Sequence, residues 1–367
     1  MKNTAFILLL FILVNCTKND PNTENKFTLK KKSVPLNLSS YFGSDAPTLL
    51  HSEVPIGAID KVVVTDNLII VSDFHLMKSL KVFNSKGYLI RSRDDIGEGP
   101  MGMSEITDFD VFNGYIFVLD AHKRKIYTFD TNIDLVSEMN VPMACDNFTI
   151  NHGGIFLLNQ GLEATEARIS RFDHQMNFIE NILPAQEADT PIVVSSSSLF
   201  TKLNDSSFVF THPFFPSIWH YSGSRMEKID LDFGGKFINN SDLTEMGPLD
   251  RLHFVNNLEG YYHLSNGIKL NENELLYSIR YQKKSKYLKV SLATQSMELL
   301  ENIKNDMSKS PSTITFVGNS KSAAWYWMDQ ADLHKFYSLN GHKIPDKDRI
   351  PLDQDMESKV VFKLNYR

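Results

Sequence analysis

The chain has 367 residues, enough to bury a large core as one repeat-built domain or as two ordinary ones. Hydrophobic residues make up 42% and aromatics 11%, with 25 Phe and 13 Tyr, a richness that suits pleated, half-buried strands. The formal charge of −6 leaves no net basic field to neutralise phosphates, which excludes nucleic acid as an obligatory partner.

The first element is a targeting segment. Lys2 supplies a positive start, and Ala5 to Val14 is an apolar run too short to span a bilayer as a helix. The run ends in Leu13-Val14-Asn15-Cys16 and gives way to the polar stretch TKNDPNTEN. This resembles a bacterial lipoprotein signal. The resemblance implies that residues 1–15 are a signal peptide, that Cys16 is lipidated, and that 16–26 form a flexible tether to a membrane of the cell envelope, the outer membrane. An ordinary secretory peptide with an incidental Cys is the alternative. With Cys16 lipidated, Cys145 stands alone as a packed, reduced thiol, and neither a disulfide framework nor a Cys-based metal site is available.

The folded part is expected over 27–367. Residues 27–40 alternate loosely and read as one edge strand. From Ile59 to Pro142 one pattern is written twice: an apolar strand, an Asn-containing turn, and a second apolar strand ending in Asp73 or Asp120. A basic patch follows, then a third strand ending in Phe83 or Phe129, a polar turn and a fourth strand. Four short antiparallel strands at a period of about 45 residues are what one propeller blade looks like in sequence. A third copy ends its second strand at Asn159 and its third at Phe172, and a fourth puts Tyr221 in the aromatic slot. A non-repeating stretch covers 234–262. A fifth copy runs from His263, and a sixth begins STITFVGNSKSAAWYWMDQ, breaks pattern, and is followed by the alternating strand Lys359–Leu364.

The expected fold is therefore all-β: a six-bladed β-propeller of four-stranded antiparallel blades, closed by N-terminal and C-terminal strands in one blade. Closure removes sheet edges that would otherwise invite aggregation, and the strand near Phe27–Leu38 is expected to complete the sixth sheet beside Val360–Leu364. No helix competes with the strand signal; Pro248 breaks the best candidate, 242–258.

Topology sorts the loops. Hairpins after strands one and three share one face and carry tight turns, Asp66-Asn67, Asn113-Gly114, Ser85-Lys86-Gly87 and Ser222-Gly223. The other face collects Gly97-Glu98-Gly99-Pro100, the 184–197 loop, the 234–262 insertion and the 329–357 segment, and binding is expected there. The ends of the second strands bring Asp73, His75, Asp120, His122, His212, Arg280, Tyr281 and Asp329 to this rim as candidate ligand-face residues, with Asn159 and Gln160 beside them. Against that stands a plain structural role, in which Asp73 and Asp120 cap turns by accepting from backbone N–H groups. The Gly97-Glu98-Gly99-Pro100 link opens no helix and lacks the Lys of a phosphate cradle. No Gly-x-Ser-x-Gly elbow and no His-Glu-x-x-His motif occurs, and no catalytic residue is assigned.

With these residues in hand the chain resembles the six-bladed β-propeller lipoproteins common in Bacteroidetes, a family of largely unassigned function, and more broadly NHL-type propellers. The likeness rests on Cys16, the unit at 64–87, the Ile96–Pro100 link and the Lys359–Leu364 strand. Blade two departs from the unit by carrying Ile133 where blade one has Gly87. The resulting expectation is an envelope-anchored binding or scaffolding propeller for a protein or small-molecule ligand, acting through its loop-rich face. Two alternatives stand beside it: a hydrolase or lyase using a divalent metal held by His75, His122 and His212 with nearby acids, and a carbohydrate-recognition module using exposed Trp219, Trp325 or Trp327. The partners so implied are the membrane, through Cys16, and an envelope protein or glycan.

Overall fold

The computed structural model describes residues 26–31, 35–94, 96–97, 102–159, 167–184, 199–212, 215–238, 246–247, 250, 254, 257, 260–264, 267–282, 284–307, 316–320, 323–340 and 358–367. The targeting segment, Cys16 and the tether lie outside them, as does most of the 184–197, 234–262 and 329–357 loops.

Three strands precede the repeats: β1 (Lys26–Lys31), the two-residue β2 (Leu36–Asn37) and the long β3 (Phe42–Leu50). The first unit holds β4 (Lys61–Val64), β5 (Leu68–Asp73), β6 (Ser79–Asn84) and β7 (Leu89–Arg93). The second holds β8 (Asp108–Phe112), β9 (Tyr115–Asp120), β10 (Lys125–Phe129) and β11 (Leu135–Asn140). In the third are β12 (Cys145–Asn151), β13 (Gly154–Asn159), β14 (Ala167–Phe172) and β15 (Phe178–Pro184). In the fourth are β16 (Phe200–Lys202), β17 (Phe208–Thr211), β18 (Ser217–Tyr221) and β19 (Met226–Asp232). The fifth comprises β20 (Tyr261–Leu264), β21 (Ile268–Asn271), β22 (Glu274–Tyr281), β23 (Lys284–Ser291) and β24 (Ser296–Leu300). Then come β25 (Ile303–Lys304), β26 (Phe316–Asn319), β27 (Ala323–Asp329), a helix α1 (Gln330–Asn340) and β28 (Lys359–Tyr366).

The fold is all-β and propeller-like, but the sheets are not six separate blades. Four sheets have four strands each: β4–β7, β8–β11, β12–β15, and the order β26-β27-β28-β3. The fourth and fifth units are fused into one ten-stranded sheet. The cause is β1, which lies between the outer strands of both units and pairs in parallel with β19 and with β24. Its Phe27 is 1% exposed and packs among Ile229, Leu231, Leu288 and Met297. Each edge that would have ended a blade finds its backbone partners on β1, so two meanders become a continuous ladder.

Closure follows the expected principle with a different strand. Beside β28 lies β3, in register from Lys359↔Leu50 to Tyr366↔Phe42, and not the segment near Phe27–Leu38. The closing segment continues onto the first unit. His51 N–H donates to the Gly87 carbonyl at 2.8 Å, Leu89 N–H donates to the His51 carbonyl at 3.1 Å, and the His51 and Tyr88 rings stack at 4.8 Å.

Burial explains why the strands look as they do in sequence. The inner strands are covered on both faces by neighbouring units, so β13 (GIFLLN) is buried throughout, whereas the outer β11 (LVSEMN) is exposed along nearly all its length. The recurring third-strand aromatics Phe83, Phe129, Phe172 and Tyr221 are all at most 1% exposed and fill apolar layers between units. One such layer, with Leu50, Ile59, Val62, Ala323, Trp325 and Val361, joins the last sheet to the first. The turn after the third strand keeps its backbone even where glycine is lost: φ is +86° at Gly87, +61° at Ile133 and +66° at Met176. Helix α1 was not expected. Its Leu333, Phe336 and Tyr337 follow helical spacing, and Leu333 and Tyr337 are buried against the layer that holds Phe42 and Phe362.

Candidate functional site

The inner strands of the units face the hub, where residues of β4, β8, β12, β16, β21 and β26 surround a cavity of about 510 Å³. Alternation along β8 directs Asp108 and Asp110 to the same face, with apolar Phe109 turned into the layer beneath. Both carboxylates are buried and both meet lysine. Lys61 Nζ donates to Asp108 Oδ1 at 2.7 Å, and Lys202 Nζ donates to Asp110 Oδ1 at 2.7 Å. Asp108 Oδ2 also accepts from Phe148 N–H at 3.1 Å. Asp110 Oδ2 accepts from Thr149 Oγ1 and Ile150 N–H, each at 3.0 Å. The first, second, third and fourth units are thereby tied together by charge at the hub.

The two acids respond differently to burial. Loss of solvent pushes the Asp108 carboxyl above its ordinary value, and the Lys61 ammonium only partly offsets it, with the Asp110 charge adding to the rise. Burial pushes Asp110 up as well, but the Lys202 and Lys61 ammonium groups and its hydrogen bonds together outweigh that and hold it below the usual range. Asp110 is the better-satisfied anion of the two.

The cavity opens on the tight-turn face. Its mouth is formed by the first hairpins of the first four units and of the last sheet: Thr65-Asp66, Asn113-Gly114, Asn151-His152, Asn204-Asp205 and Asn319-Ser320. Asn113 and Gly114 have φ of +49° and +80°, the left-handed pair that a two-residue hairpin turn requires and that Asn-Gly supplies at least strain. Adjacent turns touch. His152 N–H donates to the Asp205 carbonyl at 3.0 Å, the Phe112 ring meets the His152 ring edge-on at 5.2 Å, and Asn319 Nδ2 donates to the Lys202 carbonyl at 2.9 Å. Phe112, Phe200, Phe316 and Trp325 supply aromatic wall, with Lys363 Nζ 5.4 Å from the Trp325 ring centre.

None of the eight residues expected on the loop-rich rim lines this cavity. Asp73 is buried, and its Oδ1 accepts from the backbone N–H groups of His75 and Leu76. Asp120 accepts from Ser104 N–H at 2.6 Å, from Ser104 Oγ, and from Lys123 N–H. These carboxylates staple the end of a second strand to the turn that follows it or to the segment that precedes the unit. His75 and His122 are exposed. His212 is buried edge-on against Phe215 at 4.6 Å, and desolvation, helped by the Arg168 charge, lowers its pKa to about 3. Arg280 is exposed, Tyr281 stacks on Tyr261 at 4.2 Å, and Asp329 pairs with Lys359. Among the described residues no three His, Cys, Asp or Glu side chains come together in a way that could hold a metal ion.

The tryptophans are not exposed stacking platforms. Trp219 is 4% exposed and lies among Phe210 and Phe215. Trp325 is 3% exposed, and the half-buried Trp327 donates its Nε1–H to the Ile59 carbonyl at 3.1 Å beneath the Lys359 ammonium. Cys145 is buried, and burial pushes its thiol pKa well up. What the sequence reading passed over were the hub residues Lys61, Asp108, Asp110 and Lys202 and the mouth residues Asp66, Asn113, His152 and Asp205. A signal for each set exists. Charged residues on alternate positions of an otherwise apolar first strand, and an Asn or Asp recurring in first hairpins, mark one side of the repeat.

The model of a family described as a domain of unknown function, DUF4934, matches residues 52–359. Among solved structures, the fold is similar to that of a putative exported protein from Bacteroides fragilis, with a TM-score of 0.69 and 15% identity over 93% of this chain and 100% of that one. It is also similar to a member of the DUF4221 family from Bacteroides vulgatus, with a TM-score of 0.50 and 9% identity over 88% and 96%. These likenesses show the fold alone. No curated protein matches the sequence.

Proposed function

This chain belongs to the DUF4934 family, and we propose that it is an exported, membrane-tethered binding propeller whose small-molecule ligand enters the hub cavity through the tight-turn face. The observation that carries the reading is the cavity itself. Its volume of about 510 Å³ falls within the roughly 300–1,000 Å³ of small-ligand sites, and its wall mixes aromatic rings with a few fixed polar groups. The hub charges favour binding over catalysis, because Lys61, Asp108, Asp110 and Lys202 are spent on one another. Export is supported by the apolar run Ala5–Val14 and the Cys16 that follows it, and by the exported protein of similar fold. No helix among the described residues is long and apolar enough to cross a membrane; the anchor in this reading is a lipid on Cys16.

The test is a thermal-shift screen of a small-molecule library against wild type and two mouth-filling variants, His152→Trp and Asp205→Trp. Compounds that raise the melting temperature of wild type and lose that effect in both variants are expected. Equal shifts in all three proteins would place the ligand elsewhere.

A further inference from the structure

Resting on that reading of the hub cavity, we infer that its ligand is an uncharged, polyhydroxylated molecule, a short carbohydrate, held at the mouth by the arc Phe112, Asn113, His152 and Asp205 with Asp66 beside it. The first support is continuity. Phe112 and His152 are in edge-on ring contact at 5.2 Å, His152 N–H is bonded to the Asp205 carbonyl at 3.0 Å, and Asn113 follows Phe112 directly. A half-buried aromatic ring, an imidazole, a carboxamide and a carboxylate therefore stand side by side on three successive hairpins, each already in contact with the next. Such preorganisation lowers the cost of ordering them on binding.

The second support is that these groups are not used by the fold. Among the described residues, the side chains of Asp66, Asn113, His152 and Asp205 make no hydrogen bond or ion pair within the protein. Asn204 by contrast accepts from the Ser206 and Ser207 N–H groups, and Asn319 is bonded to Lys202. The unengaged set offers carboxylate and amide acceptors together with amide and imidazole donors, which is what neighbouring hydroxyls on one molecule need, since each hydroxyl both donates and accepts. Carboxylates take the stronger, charge-assisted hydrogen bonds from such hydroxyls. The half-buried Phe316 ring in the cavity wall offers apolar surface to the C–H groups of a sugar ring, and Phe112, whose ring is held by stacking on His174 at 5.3 Å, adds apolar wall beside it.

The third support is what the charges disfavour. The lysines that reach the cavity from β4 and β16 are neutralised by Asp108 and Asp110, and the remaining cation, Lys363, which lies against the Trp325 ring, is outnumbered by the Asp66 and Asp205 carboxylates, so a phosphate or carboxylate ligand finds no net positive charge there. A fully apolar ligand would strip water from Asp66 and Asp205 without replacing it.

The experiment is a glycan array followed by calorimetry on the strongest neutral binder, with citrate, glucose 6-phosphate and an apolar dye as competing classes. Wild type, Asp66→Asn/Asp205→Asn and His152→Trp are compared. A neutral glycan is expected to bind wild type, to weaken about tenfold or more in the double Asn variant, and to be lost in His152→Trp. Its affinity should be nearly unchanged between about 0.05 and 0.5 M salt, because no net charge is paired. If no glycan binds, or if an anion or the dye binds wild type and is lost in His152→Trp, the ligand class is overturned while the cavity reading stands. If a glycan binds all three proteins equally, the arc is not its site and the cavity reading fails with it.

Discussion

Lys202 Nζ donates to Asp110 Oδ1 at 2.7 Å, joining the fourth unit to the second across 92 positions of sequence. The contact passes over the third unit, whose Thr149 and Ile150 bond the other oxygen of the same carboxylate. One buried acid thus fixes the spacing of three inner strands around the hub.

Asp110→Ala is therefore expected to cost about 3–5 kcal/mol, the range for breaking a buried, hydrogen-bonded ion pair by removing one partner. Urea denaturation checks it. A loss under about 1 kcal/mol would mean that the hub is held by the apolar layers alone.

Acid should weaken the protein in two steps. His212 has a folded pKa of about 3 against an ordinary 6.5, so between those values the unfolded chain takes a proton that the folded one refuses. The stability it contributes is full above pH 6.5 and is lost progressively as pH falls towards 3. Asp110, held below its ordinary 3.8, adds a further loss as pH falls through and below that value. In His212→Gln the slope of unfolding free energy against pH between 6 and 4 should be shallower by about 1.4 kcal/mol per pH unit. An unchanged slope would show that His212 is protonated in the folded protein.

Gly87→Ala should cost more than Gly114→Ala. Both glycines have positive φ, at +86° and +80°, but an added Cβ at Gly87 would lie 2.0 Å from the Leu49 carbonyl oxygen, while nothing lies within 4 Å at Gly114. The Gly114 change carries the left-handed penalty alone, about 1 kcal/mol. The Gly87 change adds about 1–3 kcal/mol by forcing apart the closing strand and the first unit. Melting temperatures of the two variants decide the order.

Phe27→Ala removes the anchor of β1 and should cost about 3–5 kcal/mol. Hydrogen exchange should quicken in β19 and β24, the two strands that β1 joins, and stay slow in β5 and β9. Equal quickening everywhere would mean that β1 stabilises the whole ring and not the fused sheet.

Cys145 should resist a thiol reagent in the folded protein and react only on unfolding, since burial both shields it and disfavours the thiolate. Rapid reaction of the native chain would contradict its place at the start of β12.

Much of the strand framework was legible along the chain. The second-strand runs, the aromatic at the end of each third strand and the Asn113-Gly114 turn all express local periodicity, which sequence records directly. Helix α1 escaped because its apolar positions Leu333, Phe336 and Tyr337 span barely more than one turn and follow a long strand without a break. The hub cavity went unread for a related reason. Long, irregular loops draw attention in a sequence, whereas Asp66, Asn113, His152 and Asp205 look like ordinary turn chemistry until the ring brings their turns together.

By itself the sequence determined that this is an all-β, repeat-built chain with two successive units of matching pattern, because side-chain alternation and turn residues act over a few positions. Tertiary structure alone decided that β1 fuses two meanders, that β3 and not β1 closes the ring beside β28, and that the cavity opens among the tight turns. Those outcomes depend on which distant backbone edge meets which strand, and on a lysine finding an acid many residues away. The physical reason is the same in each case: an unpaired edge or a buried charge must be satisfied, but any of several partners could do it, and only the assembled geometry selects one.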